Sequence, residues 1–343
     1  MSKGRGHEAE AVVAAARAGD QAAFAVLAES YRRELQVHCY RMLGSFEDAE
    51  DMVQETFLRA WRKRRSFEGR SSFRAWLYRI ATNACLDELE RRPPRVLPPQ
   101  VAPAADPRVT PLPTADLPWL QPYPDRLFEG IAPSDAEPDA ALVSKETIEL
   151  AFLVAIQHLA PRQRAVLILR DALDWSAKET AMLLESTVAS VNSALRRARS
   201  TLKKHLPARR LEWASDSDPT EEERSLLQRY MDAHERADAA AFAALLREDA
   251  RLTMPPTPTW YDGREAVVTF HAQQVFVPEY QWRFVVTRAN RQPAVAFYTR
   301  RLGESEYRAS GIDVLRIEDG LIAQIDAFVL PHLFPAFGLP PTV

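Results

Sequence analysis

The sequence predicts two all-α segments joined by a proline-rich linker and followed by an α+β domain. Residues 8–92 and 140–206 carry apolar side chains three and four positions apart, which is the period of a helix that buries one face. Residues 93–139 hold about half of the 25 prolines of the chain. Residues 219–336 show helical patterns followed by runs rich in valine, isoleucine and aromatic residues, which indicate strands. Residues 337–343 form a short tail.

The composition limits the class of protein. The 343 residues are enough for two or three domains, and 46% hydrophobic with 27% charged residues is typical of a soluble globular protein. No segment has the roughly 18–20 apolar residues that a membrane span needs, and acidic residues near the N-terminus argue against a secretory signal. We therefore expect a cytoplasmic protein without membrane contact. Cys39 and Cys85 do not have the spacing of a zinc site or a disulfide framework, so we predict no metal and no cofactor.

The net charge of −3 is distributed unevenly along the chain. Basic residues exceed acidic ones by about two in residues 1–92 and by about five in residues 145–213. Acidic residues are in excess by about four in residues 93–144 and by about six in residues 214–343. A basic block between two acidic ones suggests that only part of the chain meets a polyanion.

The linker is expected to be extended, because proline fixes φ and removes backbone donors. Residues 119–125 interrupt it with two aromatic side chains, Trp119 and Tyr123. Aromatic side chains are out of place in a free acidic tether, so we expect this short stretch to dock onto the chain itself or onto a partner.

Residues 159–205 have the spacing of a helix-turn-helix. Pro161 opens one helix, and Ser176 with Glu179 forms a capping box at the start of the next. A turn that includes Glu185 then leads to a third helix, which Thr187 can cap.

The third of these helices has two distinct faces. Val191, Leu195, Ala198 and Leu202 share the buried one. On the opposite face, small hydrogen-bonding residues come first and cations follow, which suits base edges and then phosphates. We expect this face to bind DNA through Ala189, Asn192, Ser193, Arg196, Arg197, Ser200, Lys203 and Lys204.

The last part of the chain reads as helices followed by antiparallel strands, which is an α+β pattern. Asp319 and Gly320 between two apolar runs predict a hairpin turn. Helices are predicted at 220–236, 239–247 and 264–275, and strands at 281–289, 293–301, 307–317 and 321–329.

Three blocks in order resemble the extracytoplasmic-function (ECF) sigma factors. Residues 48–61 resemble the helix with which that family grips the clamp of the largest RNA polymerase subunit, residues 73–87 its −10-reading segment, and residues 159–202 its −35-reading domain. The resemblance implies promoter DNA and core RNA polymerase, at the clamp and at the flap of the second-largest subunit, as partners. Glu185 departs from the family, in which glycine is usual at this turn.

The residue chemistry agrees with these implied roles. In the first block Val53, Phe57 and Ala60 form the inner stripe, and the acidic outer face suits a basic partner helix. In the second block the amide of Asn83 offers a donor and an acceptor to a flipped base. The residues expected to bind polymerase are Asp51, Gln54, Glu55 and Leu58, and those expected to bind −10 DNA are Arg74, Arg79 and Asn83.

Residues 220–336 resemble the cone-shaped α+β domain of SnoaL and nuclear-transport-factor-like proteins. The resemblance implies a pocket, which in relatives serves isomerases, cyclases or binders of small ligands. We expect an unidentified small ligand at most. The candidate lining residues are Tyr230, Met254, Trp260, His271, Trp282, Phe297 and Asp326.

The function expected from the sequence is a non-enzymatic sigma factor that binds core polymerase, recognises −35 and −10 elements and promotes melting. Its acidic C-terminal domain is expected to regulate the basic DNA reader. Two alternatives stay open: a ligand-sensing helix-turn-helix regulator, and a DNA-binding protein with an active isomerase-like or cyclase-like domain. In the last case Asp326 and His271 are the candidate acid–base groups.

Overall fold

The computed structural model describes residues 11–67, 69, 72–128, 148–206 and 220–343. The sequence-based domain boundaries at positions 8, 139, 140 and 219 lie outside the described residues.

The chain divides into two compact units, and each is discontinuous in sequence. The helical unit comprises Met1–Pro94 and Leu127–Leu206, and the sheet unit comprises Arg95–Arg126 and Pro207–Val343. Most of the described part of the proline-rich segment, residues 95–126, therefore belongs with the C-terminal sheet. We call residues 95–126 the strap.

Seven helices that begin and end within the described residues build the helical unit. Asp20 caps the first by accepting hydrogen bonds from the backbone nitrogens of Ala22 and Ala23, and Ser45 caps the second by accepting from the backbone nitrogen of Asp48. The helices are α1 (Gln21–Leu43), α2 (Phe46–Lys63), α3 (Phe73–Arg91), α4 (Leu150–Ile156), α5 (Pro161–Leu167), α6 (Ala177–Leu183) and α7 (Val188–His205).

The two halves of the helical unit meet at the junction of α1 and α5. Arg164 on α5 is 2% exposed, and its Nη1 donates to the carbonyl oxygen of Met42 at 2.7 Å. Nearby, the rings of Tyr78 on α3 and Trp175 lie 5.5 Å apart. Burial lowers the pKa of the Arg164 guanidinium to about 10, because a charge loses its hydration inside protein.

A six-stranded sheet in the order β2-β1-β6-β5-β4-β3 forms the centre of the sheet unit. All neighbouring strands are antiparallel except β1 and β6, which are parallel. The strands are β1 (Leu246–Thr253), β2 (Trp260–Asp262), β3 (Tyr280–Ala289), β4 (Gln292–Arg301), β5 (Arg308–Glu318) and β6 (Leu321–Phe328). Three helices accompany the sheet: α8 (Glu221–Glu235), α9 (Ala239–Ala243) and α10 (Arg264–Phe270).

The two faces of the sheet are covered differently. Strand alternation places Val295, Leu315 and Ile325 in one core cluster with helix residues such as Leu227. On the other face a 3₁₀ segment, Pro331–Phe337, lies against β5.

The predicted helix at 239–247 is too long. Helix α9 ends at Ala243, and β1 begins at Leu246. The local sequence is helix-compatible, but pairing of Leu252 with Ile325 of β6 and with Tyr261 of β2 draws the segment into the sheet. The sequence reading also missed β2 and the parallel pairing of β1 with β6.

Candidate nucleic-acid and polymerase interfaces

Helix α7 presents the two faces that its sequence predicts. Thr187 caps the helix by accepting from the backbone nitrogen of Ser190 at 3.1 Å. The stripe predicted to be inward is buried and packs against α5 and α6. This packing leaves the opposite face in solvent over the whole length of the helix.

All eight residues predicted to meet −35 DNA lie on that outer face. Seven are exposed, and Ser193 is half-buried, with its hydroxyl accepting from Nη1 of Arg197 at 2.7 Å. Arg199 does not join them as a free cation, because it forms a 2.7 Å ion pair with Asp171. The described helix therefore offers short hydrogen-bonding side chains first and cations afterwards.

The turn before α7 contains Glu185 at the position where glycine is usual in the family. Glu185 adopts a left-handed conformation with φ 49°, which a non-glycine residue takes at some cost. The capping box of α6 is present, with Ser176 and Glu179 bonded reciprocally at 3.1 and 2.8 Å. Those hydrogen bonds lower the pKa of Glu179. The helix-turn-helix is thus intact around an unusual turn residue.

Helix α2 buries its predicted stripe and exposes most of its predicted polymerase face. Asp51, Gln54 and Leu58 are exposed, and Leu58 retains 51% of its surface as an apolar side chain in solvent. Glu55 is half-buried and forms a 2.7 Å ion pair with Arg59. The face therefore combines acidic and polar groups with an exposed leucine.

On helix α3 the predicted DNA residues differ in their surroundings. Arg79 and Asn83 are exposed and lie one turn apart. The Nε of Arg74 instead donates to Glu34 at 2.8 Å, and its guanidinium lies 4.8 Å from the ring centre of Tyr78. Arg79 and Asn83 are thus available to a nucleic acid, whereas Arg74 is held by α1.

The sheet unit contains a buried polar pair that the sequence reading did not single out. The hydroxyl of Tyr230 donates to Oδ2 of Asp313 at 2.9 Å, and both side chains are buried. Burial raises the pKa of Asp313 to about 7 and that of Tyr230 well above its ordinary value. Asp313 follows Ile312 in an apolar run. Strand alternation along this run could have predicted that its side chain faces the helices.

Two histidines lie beside this pair and are neutral. The Nδ1 atoms of His234 and His271 donate to the carbonyl oxygens of Tyr230 and Val267 at 2.8 and 2.7 Å. Burial lowers their pKa values to about 4 and about 3. Each ring therefore keeps its lone pair on Nε2.

The structure brings together only part of the predicted pocket. The rings of Tyr230 and His271 both contact the ring of His234. Trp282 and Phe297 both contact Phe284, which in turn contacts His234. Met254 packs against the same core from a half-buried position.

The other two predicted pocket residues point elsewhere. Asp326 is buried on the opposite sheet face, where it accepts from the hydroxyl of Thr253 at 2.8 Å. Trp260 donates through Nε1 to the carbonyl of Ala102 in the strap at 2.8 Å. Asp326 and His271 consequently do not form an acid–base pair in this structure.

The Asp313–Tyr230 pair predicts a specific pH dependence. The folded carboxyl holds its proton up to about pH 7, whereas the unfolded one releases it near the ordinary pKa of 3.8. The carboxyl therefore stabilises the fold fully at low pH and loses that contribution as pH rises through about 7. We expect the unfolding free energy of the wild-type chain, relative to Asp313→Asn, to fall between about pH 4 and about pH 7.

Urea denaturation of both full chains at several pH values measures this difference. Contributions from the neutral histidines are common to both chains and cancel. A pH-independent difference between the two chains contradicts the assignment of a protonated Asp313.

Three family models match the chain. The Sigma-70 region 2 model matches residues 27–93, the Sigma-70 region 4 model matches residues 149–202, and the SnoaL-like domain model matches residues 227–325. The exposed faces of α2, α3 and α7 fall within the two sigma regions. The class of protein that this architecture defines is a promoter-recognising RNA polymerase sigma factor with an appended SnoaL-like domain.

Similar proteins narrow the class to one family. The chain is 42% identical over 328 residues to the ECF RNA polymerase sigma factor SigG of Mycobacterium tuberculosis, across 94% of this chain and 85% of that protein. It is 32% identical over 188 residues to the ECF sigma factor SigW of Bacillus subtilis, across 55% of this chain and 91% of SigW. The chain belongs to the ECF RNA polymerase sigma factors.

A solved structure has a similar fold. The crystal structure of the Mycobacterium tuberculosis extracytoplasmic function sigma factor SigJ matches with a TM-score of 0.55 at 22% identity, over 91% of this chain and 98% of that one. Within the described residues, no helix is long and apolar enough to cross a membrane. The same residues contain no group of three or more histidine, cysteine or acidic side chains placed to hold a metal ion.

Proposed function

We propose that this sigma factor binds the clamp of the largest polymerase subunit through the outer face of α2, and the flap of the second-largest subunit through its region-4 half. The −10 element is read by Arg79 and Asn83 on α3, with capture of a flipped base during melting, and the −35 element by the outer face of α7. The carrying observation is that α7 buries one stripe and exposes the other, with its cations grouped at the C-terminal end.

The α2 face supports the polymerase assignment by its chemistry. An exposed leucine is costly in water, and here it lies beside exposed Asp51 and Gln54. A basic partner helix with an apolar patch would pair with the acidic charge of this face and cover the exposed leucine.

A substitution of Leu58 tests this interface. Leu58→Lys places a cation against the basic partner and removes the apolar contact, so we expect affinity for core polymerase to fall by about 100-fold, or roughly 3 kcal/mol. Binding of the labelled full chain to core polymerase by fluorescence anisotropy measures it. Val26→Lys, at a residue 64% exposed on α1, is the matched control and should bind like the wild type. Equal affinity of the two variants contradicts the assignment.

Regulation by the sheet unit is proposed from the way in which that unit binds the strap. The first half of the strap is held by backbone hydrogen bonds. The nitrogen of Ala105 donates to the carbonyl of Trp260 at 2.9 Å, and the nitrogen of Ala115 donates to that of Pro256 at 2.9 Å. The backbone nitrogen of Leu112 also donates to the hydroxyl oxygen of Thr259 at 2.9 Å.

The second half of the strap, residues 119–125, is held more deeply. Tyr123 is fully buried and bonds Asn290 twice: its nitrogen donates to Oδ1, and its carbonyl accepts from the Asn290 nitrogen, both at 2.9 Å. Asp125 accepts from the backbone nitrogen of Arg291 at 2.8 Å and forms a 3.3 Å ion pair with Arg288. Burial raises the pKa of Asp125, although these partners act against the shift. We call this set of contacts the clasp.

The strap is also the covalent connection between α3 and α4. Its capture leaves less free chain between the helices that read the two promoter elements. Release of the strap lengthens that free chain by up to about 3.3–3.6 Å per residue. The sheet unit thereby regulates how far the two DNA-reading halves can separate.

The SnoaL-like domain acts in this proposal as a regulatory binding domain rather than as an enzyme. Its Asp313 carboxyl accepts a hydrogen bond from Tyr230, and its histidines are neutral and bonded to backbone. A small ligand bound among these groups is expected to act by changing the affinity for the strap. Because promoter DNA and polymerase lie in the bacterial cytoplasm, the protein acts there.

A further inference from the structure

Four arginines and two tyrosines lie at the shared end of β3, β4 and β5. Strand alternation puts Arg283 and Arg300 on one face of the sheet and Tyr280, Arg301 and Arg308 on the other. Strand register places Tyr280 opposite Arg301 and Arg308 opposite Thr299. Backbone hydrogen bonds of 3.1 and 3.0 Å between Tyr307 and Val343 fix the base of the group. We call this group the arginine corner; its members are Arg283, Arg300, Arg301, Arg308, Tyr280 and Tyr307.

The guanidinium groups of the corner are ordered by stacking on the tyrosine rings. Arg283 and Arg300 lie 4.7 and 4.5 Å from the ring centre of Tyr307, and Arg301 lies 5.8 Å from that of Tyr280. Arg300 also donates to the side-chain oxygen of Gln281. Stacking uses the flat faces of a guanidinium and leaves donors at its edge for another partner.

The corner differs from the rest of the sheet in its charge pairing. Arg247, Arg251 and Arg316 each have a carboxylate oxygen within 2.8 Å. Among the residues with described positions, the guanidinium groups of the four corner arginines have no carboxylate within 4.0 Å. The Glu304 carboxylate instead accepts from the backbone nitrogen of Arg301 at 3.2 Å. The acidic residues next to them in the chain do not change this: Glu279, Glu304 and Glu306 form no ion pair with the four.

We propose that the arginine corner binds the phosphate backbone of duplex DNA flanking the promoter elements, as a DNA contact separate from those at −10 and −35. Guanidinium edges that have no carboxylate partner match phosphate oxygens, which accept two parallel hydrogen bonds. The sheet unit and α7 are parts of one chain, so a duplex bound by α7 is at a raised local concentration for the corner.

The geometry favours contacts to the phosphate backbone of a duplex over stacking on the bases of a single strand. Proteins that bind single strands offer free aromatic faces on which bases stack. Here the Tyr307 ring is already occupied by Arg283 and Arg300. Arg283, Arg301 and Arg308 are exposed, and a guanidinium contacts a phosphate backbone without regard to sequence.

The test compares binding of full chains to a fluorescein-labelled mixed-sequence 30-base-pair duplex over a range of salt concentrations. For Arg283→Ala/Arg300→Ala we expect about tenfold weaker binding near 0.1 M salt, and a slope of log K against log salt smaller by about two. Arg283→Lys/Arg300→Lys keeps the charges and should keep most of the slope. Arg224→Ala, whose arginine is paired with Glu221 on α8, should match the wild type.

The same comparison in an Arg196→Ala/Arg197→Ala background separates the corner from α7, and the loss should persist there. Unchanged affinity and salt slope in the folded alanine variant overturn the proposal. A loss confined to a single-stranded RNA probe or to poly-glutamate, with duplex binding intact, overturns it as well.

Discussion

Replacing Arg196 and Arg197 with alanine is expected to lower promoter-dependent transcription by about 100- to 200-fold. Both side chains are exposed on the outer face of α7, and neither has an acidic partner within 4.0 Å among the described residues. Each charge-assisted contact to phosphate or base is worth about 1.5 kcal/mol, and the two together give the stated factor. Run-off transcription with core polymerase at a fixed salt concentration measures it.

A matched variant separates DNA reading from the fold of α7. Arg199→Ala removes an arginine from the same helix, but one that is paired with Asp171, and its effect should be several-fold smaller. Both variants should keep their affinity for core polymerase. Equal transcription by the double variant and the wild type contradicts the assignment of α7 to −35 DNA.

Opening the clasp is expected to raise transcription by about fivefold or more. In Asn290→Gly/Asp125→Ala, glycine retains the left-handed backbone that Asn290 holds at φ 57°, so only the side-chain contacts are lost. The lost hydrogen bonds and the buried ion pair amount to about 3–5 kcal/mol. Amide hydrogen exchange in the strap should therefore accelerate by 100-fold or more.

The control for the clasp is Asp249→Ala, which breaks an exposed ion pair with Arg247 in the same unit. It should change neither strap exchange nor transcription. A chain truncated after residue 208 lacks the clasp partners and should shift transcription in the same direction as the double variant. Faster strap exchange without any change in transcription contradicts regulation through the strap.

The sequence predicted the helical half of the molecule well because its signals are local. The cap at Thr187 and the capping box of Ser176 with Glu179 are local chemistry, and the structure confirms both. The face of α7 follows from helical spacing alone. The four predicted strands match β3 to β6 within one or two residues, and Asp319 and Gly320 at φ 52° and 73° form the predicted turn.

Features that depend on contacts between residues far apart in the chain could not be predicted from the sequence. Strand β1 forms because it pairs with the parallel strand β6, about seventy residues later in the chain, where Thr253 lies opposite Asp326. Its local sequence pattern alone therefore predicted a helix over part of this strand. Composition predicted an extended strap, but the capture of Tyr123 depends on the conformation of Asn290 in the turn between β3 and β4. The pairing of Arg74 with Glu34 is likewise a tertiary contact that helical spacing does not reveal.

Run-off transcription by cognate core polymerase on a library of genomic fragments is the most direct test of the central claim. With the full chain added, transcripts should start at a defined set of sites that share −10 and −35 elements. The Leu58→Lys chain, which disturbs only the exposed apolar contact of α2, should give few or none of them. Initiation unchanged by the addition of the full chain, or equally strong with both chains, contradicts the account.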